Sequence, residues 1–207
     1  MHLEQGTRAG SQESPAVLQQ TKAALREEVF AKRDALDPNW RLQASSRVAL
    51  HALPFVIAAR LAPVAGYWPM RSEVDPRPLM AWLHASGVKI CLPVVTDEAS
   101  RMRFRAWAPG DTLARSGLGV MEPPATALEV QPRLVLTPLA AFDRAGRRIG
   151  YGRGHYDRTL KALSGDGGLL SRIGLAFAAQ EVDAVPAEPH DQPLDAVITE
   201  DGVRLAQ

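Results

Sequence analysis

Three glycines at alternate positions, Gly150, Gly152 and Gly154, constrain this chain more than any other feature. They lie between an apolar run at 134–139 and a segment of helical pattern at 155–163. A strand must therefore hand over to a helix through a loop stripped of side chains along one edge. Backbone N–H groups in such a loop can approach a ligand closely, and the following helix turns its positive end to the same place. Arg148 and Arg153 add fixed positive charge. A triphosphate suits this arrangement. The spacing fits neither the Walker A nor the dinucleotide-binding pattern, so neither mechanism carries over.

Asp157 is oddly placed for the plainer alternative, a flexible glycine turn with solvated arginines, because it adds a carboxylate where anions are gathered. A phosphate-bound Mg²⁺ would account for it, since that ion is typically held by one or two carboxylates together with phosphates and water. Asp191, in Pro189-His190-Asp191-Gln192-Pro193, is a second candidate ligand. Taken alone it reads more simply as a turn residue.

The rest of the chain alternates helical and strand patterns. Leu18, Leu25, Val29 and Leu36 recur at helical spacing from about Pro15. Asp37-Pro38 reads as a helix cap followed by a proline at the first helical position, opening a second helix towards Leu53. A further helix is expected at 79–85, and strands at 60–68, 88–95, 101–107, 134–139, 173–178 and 196–199. The stretch 101–107 alternates apolar residues with three arginines, as a half-exposed strand does. Residues 109–132 are rich in glycine and proline and read as a long loop. Residues 1–14 are polar and expected to be disordered, with 15–207 forming one domain. Strands separated by helices predict an α/β domain whose largely parallel sheet is covered on both faces.

Charge narrows the function. The 24 Lys and Arg against 23 Asp and Glu leave a net charge of +1. No long-range field gathers nucleic acid or an anionic membrane, so a bound anion must meet a local cluster of donors. No uninterrupted apolar run reaches membrane-spanning length, and the first 14 residues lack a signal-peptide core. The single cysteine, Cys91, sits among Val88, Ile90 and Leu92 and reads as a small core residue. It forms no internal disulfide, so a reducing, cytoplasmic setting is expected.

Several stretches then fall into an order. Ala141-Phe142-Asp143 runs through Gly146 to Arg148-Ile149-Gly150-Tyr151-Gly152-Arg153-Gly154-His155-Tyr156-Asp157-Arg158. Lys22 to Arg26, Tyr67-Trp68-Pro69 with Glu73-Val74-Asp75, and Leu92-Pro93-Val94-Val95 precede it. So do Phe104 to Trp107 and Gly119 to Pro123; Gly174 to Phe177 with Gln180 and His190-Asp191 to Glu200 follow. This ordered set resembles the 5-formyltetrahydrofolate cyclo-ligase family over nearly the whole folded chain.

The resemblance implies a three-layer α/β/α fold and an enzyme that converts 5-formyltetrahydrofolate to 5,10-methenyltetrahydrofolate. ATP is the implied co-substrate and Mg²⁺ the implied metal. ATP would be bound by Lys22, Arg26, Arg148, Ile149, Gly150, Tyr151, Gly152, Arg153, Gly154, His155 and Tyr156, with Arg148 and Tyr156 at the reacting groups. Trp68, Glu73 and the segment from Tyr151 to His155 would hold the folate, and Asp157 and Asp191 the magnesium. A flat pterin suits an aromatic wall, and its N–H groups suit a carboxylate. Without the resemblance, Lys22 and Arg26 read as one solvated helix edge, Trp68 as a core residue, and Glu73 as a helix cap. His155 stands where many relatives carry tyrosine; it reads either as a donor to phosphate or as packing in a first helical turn. Arg153 fills a variable slot.

Two other readings stay open at this stage. One is an ATP-dependent enzyme acting on another formylated or acylated amine. The other is a nucleotide-binding regulator without catalysis. In every case the expected partners are small molecules, with no nucleic acid and no membrane, and the chain is a monomer or a small homo-oligomer.

Overall fold

Along the central strands apolar side chains of alternate residues go to opposite faces, and that split organises the fold. The computed structural model describes residues 15–60, 62–97, 101–117, 119–165 and 170–207; the expectation for 1–14 lies outside them. Its main sheet contains β1 (Val64–Ala65), β2 (Ile90–Val94), β3 (Arg103–Trp107), β6 (Leu134–Pro138), β9 (Ser171–Leu175), β10 (Ala196–Thr199) and β11 (Gly202–Leu205). The spatial order is β11-β10-β9-β6-β1-β2-β3. Strands β10, β9, β6, β1 and β2 run parallel, and the two edge strands β3 and β11 run antiparallel.

Val64, Ile90, Leu92, Leu134, Leu136, Ile173 and Ile198 point to one face, where they pack with Val48, Ala52, Val56, Leu79 and Leu83. Those partners come from α2 (Pro38–Ala59) and α3 (Arg77–Ala85). Ala65, Cys91, Phe104 and Val135 point to the other face, beneath Leu160 of α4 (His155–Gly165). The result is a three-layer α/β/α sandwich. Cys91 is a wholly buried core residue, and burial pushes its thiol up to about 12. α1 (Pro15–Asp34) lies on a small hairpin formed by β7 (Ala141–Phe142) and β8 (Arg148–Ile149), through contacts of Val29 with Ala140, Ala141 and Ile149.

Helix α2 opens as expected: the Asp37 side chain accepts the Trp40 N–H at 2.9 Å, and Pro38 sits where no donor is needed. It differs from expectation at its other end, running through Pro54 to a left-handed Arg60 at φ 51°. Val56 is one of its core contacts, so packing carries the helix past the proline. The strand expected at 60–68 is thereby shortened to Val64–Ala65. By length and hydropathy alone α2 would span a bilayer, yet Ala44, Val48, Ala52 and Val56 bury one side of it in the core. The long loop at 109–132 contains a hairpin of β4 (Ala114–Arg115) and β5 (Met121–Glu122), and strand β11 lay outside the sequence reading.

Candidate active site

Strand order reverses at β1: chain continuation carries β2 to one side of it, while β6 docks on the other. In open parallel sheets the crevice beyond the carboxyl ends of strands at such a switch point is where ligands bind. A cleft of about 480 Å³ lies there, lined by Tyr67 and Trp68 after β1, Pro93 of β2 and Val95 just after it, and Pro138 from β6. Every residue singled out from the sequence, from Lys22 and Arg26 through Trp68, Glu73 and 148–157 to Asp191, lines this one cleft. Val120, from the long loop, forms part of its wall.

The glycine loop follows β8. Gly152 at φ 90° and Gly154 at φ 67° hold backbone conformations that side chains disfavour. A Cβ on Gly152 would lie 3.3 Å from the Arg26 guanidinium, whose Nε donates to Gly150 O at 2.7 Å. Helix α1 is thus tied to the loop by the very arginine that four-residue spacing placed beside Lys22. Arg148 is buried and donates to Asp157 Oδ1 at 3.0 Å and Gln192 O at 2.7 Å. Gln192 N–H closes the triangle on Asp157 Oδ1 at 3.1 Å. His155 opens α4, with its carbonyl accepting from the Thr159 hydroxyl at 2.6 Å.

Lys22 is not a solvated helix edge. It is buried, donating to Glu188 Oε2 at 2.8 Å and Asp191 Oδ2 at 2.6 Å. Burial alone would lower its pKa, but these two carboxylates outweigh it and hold the ammonium above its usual value. Lys22 in turn pulls the Glu188 carboxyl below its usual range. Glu188, His190 and Asp191 bring ligand atoms within 4.8 Å of one another, a spacing that could hold a metal ion. The sequence reading singled out neither Glu188 nor His190 as a ligand. Asp157 uses only Oδ1 and Asp191 only Oδ2 in hydrogen bonds among the described residues. The second oxygen of each accepts no hydrogen bond there, and His190 Nε2 lies 3.9 Å from Asp191 Oδ1.

Across the cleft, Glu73 is buried and accepts the Met70 N–H on Oε2 at 2.7 Å. Burial raises its carboxyl pKa, opposed by the Met70 N–H, the Tyr151 hydroxyl and the Arg33 charge. The Tyr151 hydroxyl comes close enough to act on that carboxyl, yet not in hydrogen-bond geometry to Oε1, which is left without a partner. All three tyrosines of the chain, Tyr67, Tyr151 and Tyr156, line the cleft, and the Glu73 charge helps push each of their pKa values up, after burial. Tyr151 is raised to about 12. Trp68 is half-buried, with Trp107 edge-on at 6.0 Å and the Arg77 guanidinium 5.4 Å from its ring centroid. Wholly buried Arg33, another residue the sequence did not single out, lies behind the wall at Tyr151. It donates to Ser72 Oγ at 2.9 Å, Leu139 O at 3.3 Å and the Tyr151 hydroxyl at 3.2 Å.

One side of the cleft therefore offers glycine-loop N–H groups, cations and carboxylates. The other offers aromatic walls around a carboxylate with a spare acceptor. Comparison with known proteins gives the family. The model of the 5-formyltetrahydrofolate cyclo-ligase family matches residues 18–200. A 5-formyltetrahydrofolate cyclo-ligase of Escherichia coli (strain K12) is 31% identical over 173 residues, covering 81% of this chain and 94% of the relative. Another, from Haemophilus influenzae, is 29% identical over 180 residues, covering 84% and 95%. The solved structure of Aquifex aeolicus 5,10-methenyltetrahydrofolate synthetase is similar at a TM-score of 0.76 and 28% identity, covering 90% of this chain and 93% of that one.

Proposed function

The chain belongs to the 5-formyltetrahydrofolate cyclo-ligase family, and on that premise we propose that it converts 5-formyltetrahydrofolate to 5,10-methenyltetrahydrofolate at the expense of ATP. The observation that carries the reading is the adjacency, in one cleft, of the unpartnered Glu73 Oε1 and the glycine loop from Gly150 to Gly154. A buried carboxylate acceptor suits the N–H edge of a pterin, and leaving it unsatisfied is costly. Side-chain-free backbone beside Arg148 and a helix N-terminus suits a polyphosphate.

The chemistry uses both halves. A formamide carbon is a poor electrophile and its oxygen a poor leaving group. The formyl oxygen attacks the γ-phosphorus of ATP, and the bond to the bridging oxygen breaks, releasing ADP. The folate's bridging nitrogen then attacks the activated carbon and gives up its proton, and the C–O bond breaks to release inorganic phosphate. No protein nucleophile is needed; positioning and charge neutralisation carry such a transfer. Trp68 and Glu73 fix the pterin, Arg26 and the loop hold the phosphates, and Arg148, braced by Asp157, faces the reacting groups with Tyr156 beside it. Asp157 and Asp191 would hold Mg²⁺ through the oxygens they keep clear, and the ion would supply neutralisation of phosphate charge. Cytoplasmic residence is part of the same proposal, supported by the single buried cysteine.

Purified protein with 5-formyltetrahydrofolate, Mg²⁺ and ATP should generate the methenyl product's near-ultraviolet absorbance, and omission of either ATP or metal should abolish it. Binding of ATP without any growth of that band would reject the folate assignment.

A further inference from the structure

Most arginine and lysine side chains lining the cleft are already engaged. Lys22 is held by Glu188 and Asp191, Arg26 by Gly150 O, and Arg148 by Asp157 and Gln192 O. Arg71 differs. It lines the same cleft, is exposed, and makes no ion pair or hydrogen bond through its side chain among the described residues. Its backbone is held at φ 53°, a left-handed conformation that residues bearing a Cβ disfavour.

The surroundings impose that conformation. Glu73 N–H donates to Met70 O at 3.1 Å, and Glu73 Oε2 accepts the Met70 N–H, closing a turn with Arg71 inside it. The next residue, Ser72, is buried between Arg33 and Asp34. The carboxylate assigned to the pterin therefore also fixes the turn that displays Arg71. No packing or pairing among the described residues engages the guanidinium, which leaves it available to a ligand in the cleft.

A free guanidinium at a cleft wall binds an oxyanion through its planar fork. Two oxyanions enter under the function proposed above: the nucleotide phosphates and the glutamyl carboxylates of the folate. The phosphates already have Lys22, Arg26, the loop N–H groups and the start of α4. The turn carrying Arg71 belongs instead to the segment of Trp68 and Glu73, and it leads from a buried carboxylate to an exposed cation. A folate with its pterin edge on Glu73 runs its tail outward in the same sense. Resting on that reading of the site, we propose that Arg71 forms an ion pair with the glutamyl carboxylates of the folate substrate and so selects for an anionic tail.

A chemical cycle tests this. The parent, Arg71→Asn (which tolerates the left-handed turn) and Arg71→Lys are titrated calorimetrically, without ATP, against 5-formyltetrahydrofolate and its glutamate dimethyl ester. The expected result is about a tenfold weaker Kd for the free acid in Arg71→Asn, the worth of one charge-assisted hydrogen bond. Affinity for the diester should not change, Arg71→Lys should recover part of the loss, and the KM for ATP should stay within twofold. Equal loss for acid and diester would mean that the turn, not the charge, matters, and would overturn the assignment. A loss appearing in the KM for ATP instead would hand Arg71 to the nucleotide. If the parent binds ATP but not 5-formyltetrahydrofolate, the function itself is wrong and the assignment falls with it. If the parent binds the folate and Arg71→Asn binds it equally well, only the Arg71 assignment fails.

Discussion

Replacing Arg33 by methionine should expose how much of the fold's stability rests beneath the folate side of the cleft. Methionine keeps the unbranched stem and removes only the guanidinium. That group makes three hydrogen bonds and sits 4.9 Å from the centre of the Phe30 ring. A hydrogen bond to a charged group typically contributes about 1.5–3 kcal/mol. Arg33 also lowers the Glu73 carboxyl pKa, as the smallest of the influences on it, and the two make no ion pair among the described residues. Two of the three acceptors keep another partner: Leu139 O retains Gln180 Nε2 at 2.7 Å, and Ser72 retains Asp34. The loss should therefore be about that of the one bond left without a substitute, to the Tyr151 hydroxyl, at most about 3 kcal/mol. With a urea slope of roughly 2 kcal/mol/M, the unfolding midpoint should drop by at most about 1.5 M. Adding Glu73→Gln removes the charge that Arg33 partly offsets, so the double variant should recover part of the loss, as a coupling energy of at least about 0.5 kcal/mol. An Arg33→Met midpoint within about 0.3 M of the parent, or additive effects in the double variant, would refute the reasoning.

Two further outcomes follow from the opposite wall. Gly152→Ala puts a Cβ at φ 90°, 3.3 Å from the Arg26 guanidinium; it should raise the KM for ATP roughly tenfold, matching ~1–2 kcal/mol of backbone strain, and an unchanged KM in steady-state kinetics would count against the loop's role. Glu188→Gln removes a carboxyl whose folded pKa lies below its usual value, so Glu188 contributes stability above the usual value that is lost as pH falls through the folded one. Thermal melts of parent and variant should therefore differ at pH 7 and converge as pH drops below about 4.5. Because Lys22 is held above 10.5, the same clamp should persist up to that pH and weaken beyond it. A difference independent of pH would show that the Lys22–Glu188 pair is not its source.

What the sequence made legible and what it hid divide along a physical line. Alternate glycines before a helix are a local pattern, so the loop, Arg148 and Asp157 could be read from spacing; the strands at 134–139 and 196–199 and the cap at Asp37 were local as well. Pro54 is local too, and there the local rule misled, because helix packing against the sheet overrode the breaker. Lys22, Arg26, Val29 and Arg33 occupy one helical stripe, yet from sequence alone Lys22 and Arg26 read as a solvated edge and Arg33 drew no reading. They face inward because partners arrive from far along the chain: Ser72 lies 39 residues from Arg33, Gly150 lies 124 from Arg26, and Glu188 lies 166 from Lys22. No periodicity encodes such pairings. They exist because β6 docks beside β1 on the side away from β2, opening the crevice that Lys22, Arg26, Gly150 and Glu188 line. Arg71 is the limiting case. Its neighbours in sequence suggest a turn, but only the fold shows that the turn aims an unpaired guanidinium into a cleft whose other cations are spoken for. A residue's place in the cleft was therefore readable where the pattern was local, and hidden where strand order supplied its partners.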